Sequence, residues 1–361
     1  MSRRRAIVIG GGLAGFSAAT RLARAGREVI LLERRQVPGG RAGSGPDPDT
    51  GEPVDTGQHI FMGCYRATLD WFAELGTRDR LWFQDRLEVH YRRAGGAAIM
   101  FRAALLPPPL HLLGGLAALD GLNFMEKARL LGLAAAFGRL DRLDWMTTSR
   151  WMDSLHVPPA AREIVLEPLA IAALNELPDT VSALPFAITL RELATTGQRG
   201  LAVGFAVTGL GETYLPAATG CIEAAGGAVR SGSWVTRLLV GGDGRVAGVK
   251  LSTGESIEAG EVVATVPPWD LVPLLADIPA LESLAAAANR FKPSPIVTVH
   301  LWLDRPIHPG RFTGLVGSRF HWLFNRTAIL GSASREEHLC FVKSGACLRQ
   351  VSLHLYSVMP S

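Results

Sequence analysis

The hydrophobic pattern opens with a continuous apolar run, Ala6 to Ile9. It then shifts to apolar residues at three- and four-residue spacing over Leu13 to Ala25, and returns to a short apolar run over Glu28 to Leu32. This change of period predicts a buried strand, a helix that stops at Gly26, and a second strand beside the first. From Tyr65 to about Thr208 helical spacing dominates, with helices expected over Ala67 to Leu75, Met125 to Leu140, Arg162 to Asn175 and Phe186 to Leu193. After Gly209-Leu210-Gly211 the opening pattern resumes with a helix over Tyr214 to Ala225 and a strand over Ala228 to Arg230. Trp234 to Val240 and Val246 to Leu251 alternate about Gly241-Gly242-Asp243-Gly244 as a hairpin, Ser256 to Glu258 extends it into a meander, and Glu261 to Val266 reads as another apolar strand. Ile296 to Leu303 and Thr313 to Phe324 are the last strand candidates. The expected organisation is one domain from 1–75 and 209–275, an inserted region over 76–208 and 276–330, and a tail over 331–361 without a clear period.

The join between the first strand and helix carries the chemistry. Gly10-Gly11-Gly12-Leu13-Ala14-Gly15 is a G-x-G-x-x-G fingerprint placed directly after a strand and at the head of a helix. Gly10 allows the tight turn, Gly12 lets backbone approach a pyrophosphate, and Gly15 lets the helix lie close on the strand. The helix N-terminus offers unpaired N–H groups to an anion. Glu33 ends the second strand, where a carboxylate accepts from ribose hydroxyls and repels a 2′-phosphate, which disfavours NADP. Gly39-Gly40-Arg41 then gives the chain a flexible return to the pyrophosphate with a guanidinium on it. Fold class follows as α/β: a Rossmann-like domain of parallel sheet plus β-meander, with an inserted, largely helical α+β substrate domain.

The pairing of this fingerprint with G-G-R resembles the FAD-dependent amine oxidase and phytoene desaturase superfamily, which implies FAD as cofactor. Asp55-Thr56-Gly57-Gln58-His59 followed by Gly63-Cys64-Tyr65 is similar, within it, to the bacterial hydroxysqualene dehydroxylases, also described as squalene-associated FAD-dependent desaturases. Glu167-Pro168-Leu169-Ala170-Ile171-Ala172-Ala173-Leu174-Asn175, Ser294-Pro295-Ile296-Val297 and Leu301-Trp302-Leu303-Asp304-Arg305-Pro306 resemble the same family. The resemblance implies cofactor contacts from Gly10, Gly12, Leu13, Ala14, Gly15, Glu33, Arg34, Gly40, Arg41, Gln58 and His59, and adenine contacts from the strand holding Val235. It implies reduction of hydroxysqualene to squalene by hydride from reduced flavin, in squalene and hopanoid synthesis, with other squalene-pathway enzymes as partners. Departure of hydroxide needs a proton donor, worth about 10²–10⁴-fold, and His59 and Glu167 are the candidates. A carotenoid desaturase or isomerase is the neighbouring alternative, and a non-catalytic remnant the alternative of another class.

Composition narrows the partners. With 48% hydrophobic and 19% charged residues in 361, the chain has ample material for two domains around one cofactor. The net charge of +4 suits anionic lipid headgroups. Nucleic acid is excluded as a partner because the basic residues are scattered without an aromatic-basic motif. Cys64, Cys221, Cys340 and Cys347 form no C-x-x-C and no metal spacing, so no metal is expected and a reduced, cytoplasmic compartment is the default. Ser2-Arg3-Arg4-Arg5 before an apolar stretch has the form of a secretory leader, but that stretch is already the first strand and glycine turn. Ala103 to Leu119 is uncharged, too short to span a membrane and broken by Pro107-Pro108-Pro109. The wider segment from Leu105 to Met125 reads as core under a loop or as a monotopic patch on the inner face of the membrane. Flavoproteins of this superfamily close with a further strand and a G-D-x segment at the flavin. Ser332 to Ser361 offers none, so the C-terminal FAD segment is expected to be missing through truncation or a shifted frame.

Overall fold

In the computed structural model, residues 5–93, 95, 98–132, 140–332 and 335–346 are described. The chain divides into two compact units. One is Met1–His59, Arg66–Trp82 and Ala206–Pro293; the other is Ile60–Tyr65, Phe83–Phe205 and Ser294–Ser361.

In the first unit, β1 (Arg5–Ile9), α1 (Leu13–Arg24) and β2 (Glu28–Leu32) stand where the change of period puts them. The sheet runs Ala228–Arg230, β2, β1, Glu261–Ala264, and every pairing in it is parallel. Ala6, Ile7 and Val8 are fully buried, because a parallel sheet covered on both faces needs a continuous apolar run. Arg5 pairs with Glu28 at the rim of this sheet, while residues 1–4 lie outside the described residues. Val235–Val240, Val246–Leu251 and Ser256–Glu258 form the antiparallel meander. Its Val235, Val249, Leu251 and Ile257 pack with Ile7, Ile9 and Leu32 in one core cluster. Each such side chain, fully buried, contributes roughly 1.5–3 kcal/mol.

The second unit is built on a six-stranded sheet in the order Val297–Leu303, Glu337–Lys343, Trp322–Asn325, Phe312–Val316, Glu88–Arg93, Ala98–Arg102. Two of its strands fall inside the stretch where only helices were expected. Glu88–Arg93 buries Val89 and Tyr91 while exposing His90 and Arg92, a period of two that a six-residue window hides among helices. A third, Glu337–Lys343, lies in the supposed tail and pairs on both sides, with Val297–Leu303 and with Trp322–Asn325. The tail is therefore sheet over Glu337–Lys343, and residues 347–361, Cys347 among them, lie outside the described residues. The helix Glu282–Ala288, expected with the substrate region, belongs to the first unit, where it packs on Pro268–Leu275.

Helix boundaries moved where caps decide them. Ala183–Thr195 starts before the expected Phe186, because the Ser182 hydroxyl accepts from the Leu184 N–H at 3.2 Å and Pro185 is tolerated in the first turn. Met125 to Leu140 is helical over Phe124–Gly132, and 133–139 lie outside the described residues. The segment from Leu105 to Met125 is partly buried and partly exposed. Leu119 and Leu122 are buried, whereas Leu105, Leu106, Leu110, Phe124 and Met125 are exposed. Among the described residues, no helix is long and apolar enough to cross a membrane and no group of side chains is placed to hold a metal.

Candidate functional site

The three outer glycines of the fingerprint meet different demands. Gly10 has φ +106°, in the region that favours glycine, and its N–H donates to Leu32 O at 2.8 Å. A Cβ on Gly15 would stand 1.8 Å from Gly10 O and 2.9 Å from Thr265 Oγ1, so α1 sits on the turn with no room for a side chain. Gly12 is different. Its φ of −85° suits any residue, and a Cβ there would meet nothing nearer than Gly39 O at 4.0 Å. The folded chain itself does not require glycine at that position, which is left as an open cradle at the head of α1. Among the described residues, the Ala14 and Gly15 N–H groups have no protein acceptor, so the cradle is lined by donors.

The Gly39-Gly40-Arg41 loop does return to this cradle. Gly39 N–H donates to Gly11 O at 2.7 Å, Gly12 and Gly39 form a bridge, and a Cβ on Gly40 would stand 3.3 Å from Gly12 Cα. Gly39 (φ +121°) and Gly40 (φ +58°) both take left-handed conformations. Arg41, in the single 3-10 turn Gly40–Ala42, is exposed and makes no ion pair among the described residues. Open backbone, unpaired donors and a free guanidinium are a donor set that fits a pyrophosphate.

Glu33 is buried, and its carboxylate accepts from Gly11 N–H at 2.6 Å and Arg35 N–H at 2.8 Å. Each oxygen keeps a further lone pair for a ribose hydroxyl. Arg34, expected at the cofactor, instead forms a surface ion pair with Asp270 at 3.2 Å. Val235 buries its side chain in the meander core and pairs with Leu251.

The D-x-G-Q-H segment splits its labour in a way the pattern did not reveal. Asp55, buried at the end of the strand Pro53–Asp55, accepts from Ser44 Oγ at 2.6 Å and from Leu210 N–H at 2.9 Å. Ser44 Oγ accepts in turn from Gly211 N–H at 2.8 Å. The two side chains cap the helix Leu210–Ala224, whose first turn also has Glu212 accepting from Gly209 N–H. The sequence signal for this cap was Gly209-Leu210-Gly211-Glu212, but its partner on a distant strand carries no local mark.

Gln58 Nε2 donates to His59 O at 3.2 Å. His59 Nδ1 lies 2.6 Å from Gly57 O, and since a carbonyl only accepts, Nδ1 carries the proton. The neutral ring therefore presents Nε2 as an acceptor. Burial pushes the His59 pKa down, and the opposing pull of Gly57 O and Asp55 is smaller; Arg41 lowers it further. His59 is thus neutral at pH 7. Gly63-Cys64-Tyr65 falls in the second unit. There a Cβ on Gly63 would lie 1.8 Å from Arg199 O, so this glycine serves backbone packing.

Glu167, also in the second unit, opens the helix Glu167–Leu174. The helix expected from Arg162 begins as a π turn over Arg162–Leu166, a feature often found at functional sites. Burial raises the Glu167 pKa from its ordinary value, opposed by Arg162 at 3.6 Å and aided by Asp179 and Glu163. Asn175 ends that helix in the left-handed region at φ +55°. Its Nδ2 donates to Ser294 O at 3.2 Å, while Ser294 Oγ donates to Asn175 O at 2.7 Å.

A family model described as flavin containing amine oxidoreductase matches residues 13–343. The 15-cis-phytoene desaturase of Solanum lycopersicum is 30% identical over 338 residues, covering 90% of this chain and 55% of that protein. The hydroxysqualene dehydroxylase of Rhodopseudomonas palustris is 28% identical over 318 residues, covering 88% of this chain and 72% of that protein. The chain thus spans about half the length of the plant relative. In fold it is similar to the crystal structure of an oxidoreductase from Methanosarcina mazei, with a TM-score of 0.73 at 16% identity over 96% of this chain and 80% of that one.

Proposed function

Because the chain belongs to the flavin-containing amine oxidoreductase family and takes FAD as cofactor, we propose that this oxidoreductase reduces hydroxysqualene to squalene in the synthesis of squalene and hopanoids. The observation that carries this proposal is the mutual pair of hydrogen bonds between Asn175 and Ser294. It joins two of the segments on which the likeness to hydroxysqualene dehydroxylases was read. Reduced FAD, when bound, supplies the hydride. Gly12, Leu13, Ala14, Gly15 and the returning Gly40-Arg41 hold its pyrophosphate, Glu33 its ribose, and the strand of Val235 its adenine. Gln58 and His59 are assigned to the flavin side. Arg34 is assigned only through its backbone, since its guanidinium is engaged by Asp270.

Loss of the substrate hydroxyl as water needs a proton. Glu167, whose burial favours the protonated carboxyl, is assigned as donor. His59, neutral and with Nε2 free to accept, is better suited to take a proton. That favours a second reaction, phytoene-type desaturation, in which hydride and proton both leave the substrate. The sign of the pH dependence separates the two roles. Proton acceptance by His59 makes the rate fall as pH drops through a value below 6.5, the ordinary value from which burial lowers it. Proton donation by it makes the rate rise there. Anaerobic incubation of the FAD-loaded, dithionite-reduced protein with hydroxysqualene is expected to give squalene, with phytoene left unchanged in a parallel oxidised reaction. Desaturated phytoene without squalene, on an acid limb that falls, overturns the assignment in favour of the desaturase.

The same reading places the protein at the cytoplasmic face of a membrane as a peripheral protein. Leu105 at 75% exposure, Phe124 at 84% and Met125 at 60% support this, since an isoprenoid substrate resides in lipid. Flotation with anionic vesicles is expected to carry the protein upward, and Leu105→Asp with Phe124→Asp to cut the bound fraction at least several-fold. Equal flotation of both proteins would count against this surface.

A further inference from the structure

We infer that Tyr214 is a positioning residue, whose hydroxyl tethers the turn bearing Arg41 to the helix Leu210–Ala224 and so pre-sets the guanidinium for its anion. This rests on the proposed contact of Arg41 with the FAD pyrophosphate.

Tyr214 is fully buried, and its hydroxyl lies 3.3 Å from Gly39 O and 3.3 Å from Ala42 O. Both carbonyls can only accept, so the hydroxyl donates, and burial pushes its pKa up and keeps the proton in place. Those two carbonyls bracket Gly40 and Arg41. The flanks of the turn are held as well, by Gly39 N–H to Gly11 O at 2.7 Å and by Thr56 N–H and Oγ1 to Gly43 O at 2.9 and 3.0 Å, but those bonds lie outside Gly40 and Arg41. Two successive residues with positive φ, both glycine, make it loose in isolation, and its own internal bond is Ala42 N–H to Gly39 O at 3.0 Å.

The ring is anchored independently of the hydroxyl. It packs edge-on against Phe16 of α1 at 6.0 Å between centroids, edge-on against Phe72 at 6.3 Å, and tilted on Trp71 at 5.6 Å. Phe16 stands in the first turn of α1, and its N–H donates to Gly12 O. One side chain therefore touches both the helix head and the arginine turn that face each other across the cradle. The aromatic contacts need only a ring, and phenylalanine would supply them. The hydroxyl is needed for the turn alone.

The test is Tyr214→Phe in the full chain, compared with Arg41→Ala and with the double variant. In cofactor-free protein, hydrogen exchange of the segment 39–44 is expected to accelerate about fivefold in Tyr214→Phe, the effect of one lost hydrogen bond, with the rest of the first unit unchanged. FAD affinity, read by fluorescence titration, is expected to weaken about fivefold in the parent background and not at all in Arg41→Ala, because coupled residues are non-additive. Unchanged exchange in 39–44 overturns the tether. An equal loss of affinity in both backgrounds overturns its action through Arg41. Should Arg41→Ala itself bind FAD as the parent does, the proposed pyrophosphate contact fails, and the exchange result still decides the tether.

Discussion

Gly15→Val is expected to give a chain that fails to fold cooperatively, with soluble yield and thermal midpoint both collapsing whether or not FAD is supplied. The added Cβ would fall 1.8 Å from Gly10 O, 3.0 Å from Gly10 C and 2.9 Å from Thr265 Oγ1. Two of those three atoms are backbone. Thr265 Oγ1 is committed as well, donating to Ile9 O at 2.9 Å and Gly10 O at 3.1 Å. Relief requires lifting α1 off β1, which would open the fully buried face of Ala6, Ile7 and Val8. A cost on the order of 4–5 kcal/mol is a large share of a stability of roughly 5–15 kcal/mol. A Gly15→Val protein that melts like the parent would show that the helix has slack the coordinates deny it.

Gly12→Val makes the complementary case. Its φ is ordinary and the space beside it is open, so the variant is expected to fold with a thermal midpoint near that of the cofactor-free parent. The branched side chain fills the cradle where a phosphate would sit, and FAD affinity is expected to drop by roughly 100-fold or more. Flavin absorbance of the purified protein and calorimetric titration of the apoprotein measure it. If Gly12→Val retains its yellow colour at parent affinity, the cradle is not where the pyrophosphate lies. Two glycines three positions apart in one fingerprint are thus expected to fail in opposite ways, one through the fold and the other through the ligand.

How far the sequence revealed this follows from which interactions are local. β1, α1 and β2 were legible because strand period, helix period and backbone freedom all change within one short stretch, each pointing to the same unit. The return of Gly39-Gly40-Arg41 was legible for a similar reason, since two successive glycines announce an unusual turn. Asp55 and Tyr214 were not. Their roles are to cap and brace segments far away in sequence, and neither residue type nor spacing marks such a partner. The strands Glu88–Arg93 and Ala98–Arg102 were hidden because short strands among helices give too few periods to count. Arg34, assigned to the cofactor through the family resemblance alone, has its guanidinium paired with Asp270.

The pairing of β1 with Glu261–Ala264 bears on how the protein is made. Ile9 has its neighbour in Ala264, 264 − 9 = 255 positions later in the chain. At roughly 5–20 residues per second, on the order of 10–50 s of translation separate the two. Through that interval the nascent chain carries an unmated, wholly aliphatic edge, a template for wrong pairing. Slow elongation or scarce chaperone would therefore be felt first as aggregation of the nascent chain, before any FAD can bind.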